Sequence, residues 1–367
     1  MSNTRKQRLL SLDTLRGFDM FWIIGGGLLF QTLAKHTNWA WADYLAIQMD
    51  HVNWDGFHAF DLIFPLFMFI AGVAIPYALL GKLEKGVPKS DLYKKVAKRA
   101  IILVILGLIY NSVLEFQFEN LRAASVLAQI GLAYLIASII AINTRSFKLV
   151  SFWVLGILIS YAILQLFVPV PGHGAGVLTP EGNINGYIDR LFLPGKLYGN
   201  VFDPEGIMCI ISASAITLMG TLAGQLLRSN TYTPYKKVGF IAALGVISII
   251  TALVIKDWYP IIKAIWTSTF NLLTGGISFL LLALFYLIID VWKIQKWTFF
   301  FRIIGLNSIT IYLAVRIVDF RNTSDFLLSG IAGIFGSYEQ IVLIVGLIAL
   351  EWLFLYFLYR KNIFLKV

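Results

Sequence analysis

Charge is scarce in this chain. Only 14% of the 367 residues are charged, 58% are hydrophobic, and the mean hydropathy is +0.78. That scarcity excludes an ordinary soluble domain, because no globular surface could hide so much apolar area. Cysteine is scarcer still: Cys209 stands alone inside an apolar run, so it allows no intrachain disulfide and says little about redox compartment. The chain carries 30 basic residues against 20 acidic ones, yet the basic residues are punctuated by apolar runs and form no continuous patch. Nucleic acid is therefore not an expected partner, and the lipid bilayer is. Strict alternation of polar and apolar residues is missing too, which excludes a transmembrane barrel and leaves helices.

What is present is a series of long apolar runs. They predict an all-α, polytopic transmembrane helical bundle forming one integral-membrane domain over 1–367. About ten spans are expected, at 17–34, 61–81, 100–117, 122–142, 149–169, 206–227, 237–256, 269–291, 298–318 and 339–359. Segment 325–337 is apolar but too short to cross, and is expected to be re-entrant or interfacial. The start Met1-Ser2-Asn3-Thr4-Arg5-Lys6-Gln7-Arg8 is basic, but the run after it lacks a small-residue cleavage site and is too long and glycine-rich for a signal core. The first span should stay in the mature protein.

Most of the 30 lysines and arginines fall in the N-terminal tail up to Arg16, in loops 82–99, 143–148, 228–237 and 292–302, and in the C-terminal tail. The intervening loops hold only Lys35, Arg122, Arg190, Lys196, Lys256, Lys263, Arg316 and Arg321. By the positive-inside rule both termini are expected in the cytoplasm.

One stretch concentrates chemistry. Between His51 and Asp61 lie two of the chain's 4 histidines, Trp54, Asp55 and Asp61, followed without further charge by an apolar run to Gly72. Ionisable groups at a membrane boundary are costly, so they carry a functional hypothesis by default. The expected topology puts them on the extracytoplasmic face, together with loop 170–205, which holds Asp189, Arg190 and Asp203, and loop 256–268, which holds Lys263 and Trp266. Carboxylates, tryptophans, a histidine and a lysine gathered on one face suit a sugar-binding and reacting site.

Ser11-Leu12-Asp13-Thr14-Leu15-Arg16-Gly17 resembles the opening motif of the transmembrane heparan-α-glucosaminide N-acetyltransferase family and its bacterial relatives. The matches recur in order: His51, Trp54-Asp55-Gly56 and Asp61-Leu62-Ile63-Phe64-Pro65; Leu121-Arg122 and Val126-Leu127; Gly186-Tyr187-Ile188-Asp189-Arg190; Asp203-Pro204-Glu205-Gly206; Pro260, Lys263 and Trp266-Thr267; Gly305-Leu306-Asn307-Ser308-Ile309 and Tyr312. Two positions depart from the pattern. Gln129 stands where a second arginine often occurs, and Trp22-Ile23-Ile24-Gly25 lacks an asparagine that some relatives carry.

The resemblance implies acetyl transfer across a bacterial inner membrane, from cytoplasmic acetyl-CoA to the amino group of a glucosamine-type sugar or envelope glycan, with no metal. It makes His51 the active histidine and Asp61 its partner. An amine nucleophile must lose a proton as it attacks a thioester, and a histidine can take it. An acetyl-imidazole intermediate on the same histidine is the other route. Substrate contact is then expected of Trp54, Asp189, Arg190, Asp203, Glu205, Lys263, Trp266 and Asn307, and acetyl-CoA contact of Arg16 and Arg122.

Plainer readings stand beside these. Asp61 could cap the second span, and Asp13 and Arg16 could pair on one helical face and only anchor the first. Asn307 could hydrogen-bond another helix. Trp54 and Trp266 could belong to an interfacial belt. His58 is expected to pack at the interface. A transporter for amino sugars is the alternative from another class, and a second copy of the chain is left open as a partner.

Overall fold

The computed structural model describes residues 9–116 and 120–365. The basic start, the last residue of the expected 100–117 span and Lys366 lie outside the described residues. Among the described residues the chain is helical, with only isolated β-bridges.

In chain order the helices are α1 (Leu10–His36), α2 (Ala40–Gln48), α3 (Ala59–Leu83), α4 (Lys89–Tyr110), α5 (Val126–Asn143), α6 (Phe147–Phe167) and α7 (Ile184–Phe192). They continue with α8 (Ile207–Arg228), α9 (Pro234–Ile255), α10 (Ser268–Val291), α11 (Thr298–Leu306), α12 (Ser308–Ile317), α13 (Phe320–Ala332) and α14 (Glu339–Arg360). Among the described residues, eight helical stretches are long and apolar enough to cross a membrane, or nine if α11 and α12 count as one bent span.

Three expectations change here. The span expected at 100–117 is not among these stretches. Helix α4 is 22 residues long, about 33 Å at ~1.5 Å per residue, but its first half carries Lys89, Lys94, Lys95, Lys98 and Arg99. The run expected at 298–318 is broken, with α11 and α12 meeting at 71°. Asn307 sits at the break with non-helical φ/ψ of −127° and 31°. The short segment expected at 325–337 begins earlier, as the 13-residue α13. It folds back on α14 through Gly336, whose φ of 56° favours glycine. Phe320 then meets Phe354 at 5.6 Å, and the Ser324 hydroxyl donates to the Leu343 carbonyl at 3.0 Å.

The described residues divide into two compact units, 9–52, 58–63 and 281–365 in the first and 53–57, 64–116 and 120–280 in the second. The first unit is built on the seam between α1 and α11. Gly17 lies against the Phe301 carbonyl and Gly305 against the Asp13 carbonyl, so any side chain at either position would strike backbone. Helix α1 is itself interrupted at Gly25, whose φ is 148°.

The second unit is centred on α8, of which 78% of the apolar window is buried. Lipid tails are as apolar as leucine, so helices in a bilayer associate through close backbone approach rather than through hydrophobic drive. Helix α8 supplies that with Gly220 and Gly224, which lie against the backbone of Phe69 and Val73. By contrast α9 buries only 17% of its window, and its apolar face is turned outward.

Candidate active site

In the first unit, a short segment after α2 delivers His51. Gln31 of α1 donates to the Met49 carbonyl at 3.0 Å, and His58 Nδ1 lies 3.1 Å from the Asp50 carbonyl. These contacts fix the backbone on either side of the turn. His51 Nδ1 lies 2.7 Å from Asp61 Oδ1. The imidazole is half exposed while the carboxylate is buried. Asp61 Oδ2 accepts the backbone N–H of His58 at 3.0 Å and of Val52 at 3.5 Å. The carboxylate therefore caps the start of α3 and lies against the imidazole at once, so the two contacts are compatible.

The ring has a second support. A Cβ at Gly27 would stand 3.2 Å from the Phe60 ring, so the missing side chain makes room for Phe60, on which the imidazole tilts at 5.0 Å. With Nδ1–H turned to a carboxylate, the neutral imidazole carries its lone pair on Nε2. Such an arrangement can accept a proton or a transferred acyl group.

Elsewhere in this unit, Arg16 Nη1 lies 3.5 Å from Asp13 Oδ1, the pairing along one helical face that the spacing suggested. Asn307 donates to the Ile363 carbonyl at 3.2 Å and accepts from Thr310 at 3.4 Å.

In the second unit, an ionic cluster brings together three of the sequence candidates, Arg122, Asp203 and Glu205. Arg122 grips Asp203 with Nε at 2.7 Å and Nη2 at 2.5 Å, and Nη2 also donates to Glu205. The guanidinium stands 4.9 Å from the centre of the Tyr198 ring. Burial works against the Arg122 charge, but the hydrogen bonds and proximity of the two carboxylates outweigh it and hold the group above its ordinary value. Asp189 is fully buried and accepts the N–H groups of Asp203 at 3.2 Å and Ile207 at 3.0 Å, so it caps α8 from outside the helix. Burial pushes its carboxyl up to about 6, although both N–H groups pull the other way. Arg190 donates to the carbonyls of Val201 at 2.6 Å and Glu181 at 3.5 Å, tying loop to loop.

The tryptophans divide. Trp54 donates its indole N–H to the Leu178 carbonyl at 2.9 Å and stands edge-on to Phe202 at 5.2 Å. Trp266 is buried in the core, wedged edge-on against Phe64 and Phe270, with a left-handed backbone at φ 48°. Lys263 opens the short turn before it and pulls electrostatically on Glu205. Among the described residues, no group of three or more histidine, cysteine, aspartate or glutamate side chains is arranged to hold a metal ion.

No protein-family model matches the chain. Over an alignment 414 positions long that takes in 98% of the chain, it is 27% identical to the heparan-alpha-glucosaminide N-acetyltransferase of Homo sapiens and 26% identical to that of Mus musculus. The chain is a distant homologue of these N-acetyltransferases. It spans 60% of the length of each.

Beside these heparan-alpha-glucosaminide N-acetyltransferases, one feature of the chain escaped the sequence reading: a buried polar network in the second unit. Gln165 donates to Asn185 at 2.8 Å and to the Ile265 carbonyl at 2.9 Å, and Tyr161 donates to the same carbonyl at 2.9 Å. Asn185 reaches the Tyr161 hydroxyl at 2.5 Å and Cys209 Sγ at 3.3 Å. Tyr259 donates to Gln165 and accepts the Ser268 N–H, and burial pushes its phenol up to about 12. Gln165, isolated in an apolar run, was the available signal. Gln129, one of the two departures from the family pattern, is buried and donates to the Cys209 carbonyl at 3.3 Å.

Proposed function

We propose that the protein is a membrane acyltransferase that moves an acetyl group from acetyl-CoA to the amino group of a glucosamine-type sugar or envelope glycan. The observation that carries this reading is the His51–Asp61 pair, 2.7 Å apart with the carboxylate buried, in a chain distantly homologous over 98% of its length to N-acetyltransferases.

The chemistry follows from the pair. The sugar amine attacks the thioester carbonyl and a C–N bond forms. The C–S bond breaks, CoA leaves as thiolate or thiol, and the proton lost by nitrogen passes to His51 Nε2. Asp61 holds the imidazole in the tautomer that can accept it and stabilises the imidazolium that results. In the covalent variant, Nε2 itself takes the acetyl group and the amine displaces it. Acetyl-CoA is proposed to enter from the cytoplasm and the acceptor to bind on the far face of a bacterial inner membrane, as the basic-residue pattern supports.

The expected substrate contacts belong to this proposal in two grades. Lys263 and Glu205 are charged groups that act on one another, suited to sugar hydroxyl or amino groups. Asp203, Arg190, Asp189, Trp54, Trp266 and Asn307 have their polar groups or rings committed to protein partners, so their proposed part is to hold the segments that carry them. Arg16 is proposed to meet the CoA phosphates. Arg122, expected beside it in that role, is proposed to act through its hold on Asp203 and Glu205.

Transport of an amino sugar is the second reading, favoured by the 71° break between α11 and α12, since interrupted helices line transporter sites. One experiment separates the two. Purified protein is given labelled acetyl-CoA and glucosamine, and proteoliposomes are given labelled glucosamine alone. Labelled N-acetylglucosamine is the expected product; uptake without acetylation would establish transport instead.

A further inference from the structure

The second unit contains a cleft of about 970 Å³ where the ends of α3 and α8 meet the starts of α6 and α9. None of its lining residues takes part in the site described above. Its rim is cationic, with Arg145, Lys148 and Arg228. Arg228 is already engaged, since it grips Glu84 through two hydrogen bonds. Among the described residues it is the only one of the three held in an ion pair, so Arg145 and Lys148 give the rim its excess positive charge.

Below the rim the chemistry changes. The inner wall is Leu80, Leu226, Leu244 and Ile247, none of which offers a hydrogen-bonding side chain. On α9 the wall runs from Phe240 to Ile247, seven positions or about 10 Å along the helix. That lies within the ~15 Å depth of one leaflet's hydrocarbon. The cleft also opens sideways: Ile247 is 61% exposed and Phe240 46%, on a helix whose apolar face is otherwise turned outward.

We propose that this cleft seats an anionic phospholipid, with its phosphate between Arg145 and Lys148 and an acyl chain along α9. A phosphate beside two basic side chains at the membrane surface gains favourable energy from each of them. Gln225, Ser229, Asn230 and Tyr232 also line the cleft, but a base laid against Leu80, Leu226, Leu244 and Ile247 would find no partner there, whereas a hydrocarbon chain covers those four at no such cost. The occupant therefore differs from the acyl donor of the proposed reaction, and the inference stands apart from that reading.

Protein in detergent is titrated with phosphatidylglycerol and, separately, with phosphatidylcholine of the same chains, and retained lipid is counted by native mass spectrometry. Phosphatidylglycerol should be retained on the order of tenfold better. Arg145→Gln combined with Lys148→Gln should abolish that preference with the melting temperature unchanged. Leu244→Trp, which fills the wall and leaves the cations in place, should reduce retention of phosphatidylglycerol about as much. Inorganic phosphate and acetyl-CoA, added as competitors, should displace neither lipid. Equal retention of the two lipids by the parent, unaltered phosphatidylglycerol retention in both variants, or displacement by acetyl-CoA would each overturn the proposal.

Discussion

At Asp61 one buried carboxylate serves an imidazole and two backbone N–H groups. An Asp61→Asn substitution keeps an acceptor oxygen for the cap but removes the negative charge that faces Nδ1–H. Acetyl transfer should fall by about 10²-fold or more, while stability changes by no more than ~1 kcal/mol, the usual scale of a cap. Comparing kcat with the unfolding midpoint of the same preparation checks both halves.

Asp189 gives a pH signature. Its carboxyl is raised from an ordinary 3.8 to about 6, so the folded protein holds that proton more tightly than the unfolded chain does. The resulting stabilisation is fully present below about pH 4 and is lost as pH rises through 6. The melting temperature of the parent minus that of Asp189→Asn should therefore decrease between pH 4 and 7 and level off above. A difference that stays flat across that window would contradict the assignment.

Single residues were unevenly legible in the sequence. His51 and Asp61 stand ten positions apart on either side of a turn, and their motif marked them. The partners of Arg122 could not be read, because Asp203 and Glu205 are some eighty positions away and the ion pairs exist only once loop 170–205 has folded. Trp266 reads in the sequence as a substrate contact or as a member of an interfacial belt. Its left-handed backbone turns it instead into the core.

At the scale of elements, the α1–α11 seam depends on backbone meeting backbone. Gly305→Val places a branched side chain against the Asp13 carbonyl and should destabilise by about 2 kcal/mol or more. Gly330→Ala in α13, where a Cβ would meet nothing within 4 Å, serves as the control and should be neutral or slightly stabilising. Unfolding midpoints of the two variants compare them directly.

Hydropathy located the long apolar helices well, since the α3, α5, α6, α8, α9 and α10 windows announce themselves. It failed where helical geometry and apolar length part company. Helix α4 carries its cations inside the helix rather than in the preceding loop, and the residues around Asn307 are as apolar as those of a straight span. Neither a break of 71° nor the fold-back at Gly336 leaves a mark on an average over a window.

At the scale of the whole molecule, composition alone dictates a membrane protein, and the basic-residue pattern predicts its orientation. That orientation is checked with single cysteines introduced at two exposed positions, Lys85→Cys and His173→Cys, beside the buried Cys209. An impermeant maleimide should label the cysteine at 173 in intact cells and the one at 85 only after permeabilisation. The opposite pattern would invert the orientation and place His51 on the cytoplasmic face.

The central claim is that His51 carries out acetyl transfer. The most direct test compares labelled N-acetylglucosamine formation by the parent and by His51→Ala, purified alike and shown by their melting temperatures to be equally folded. A loss of 10²- to 10⁴-fold is predicted, the usual range for removing a general base, and a larger one if the histidine carries the acetyl group. Product formed at the parental rate by the folded variant would contradict the account.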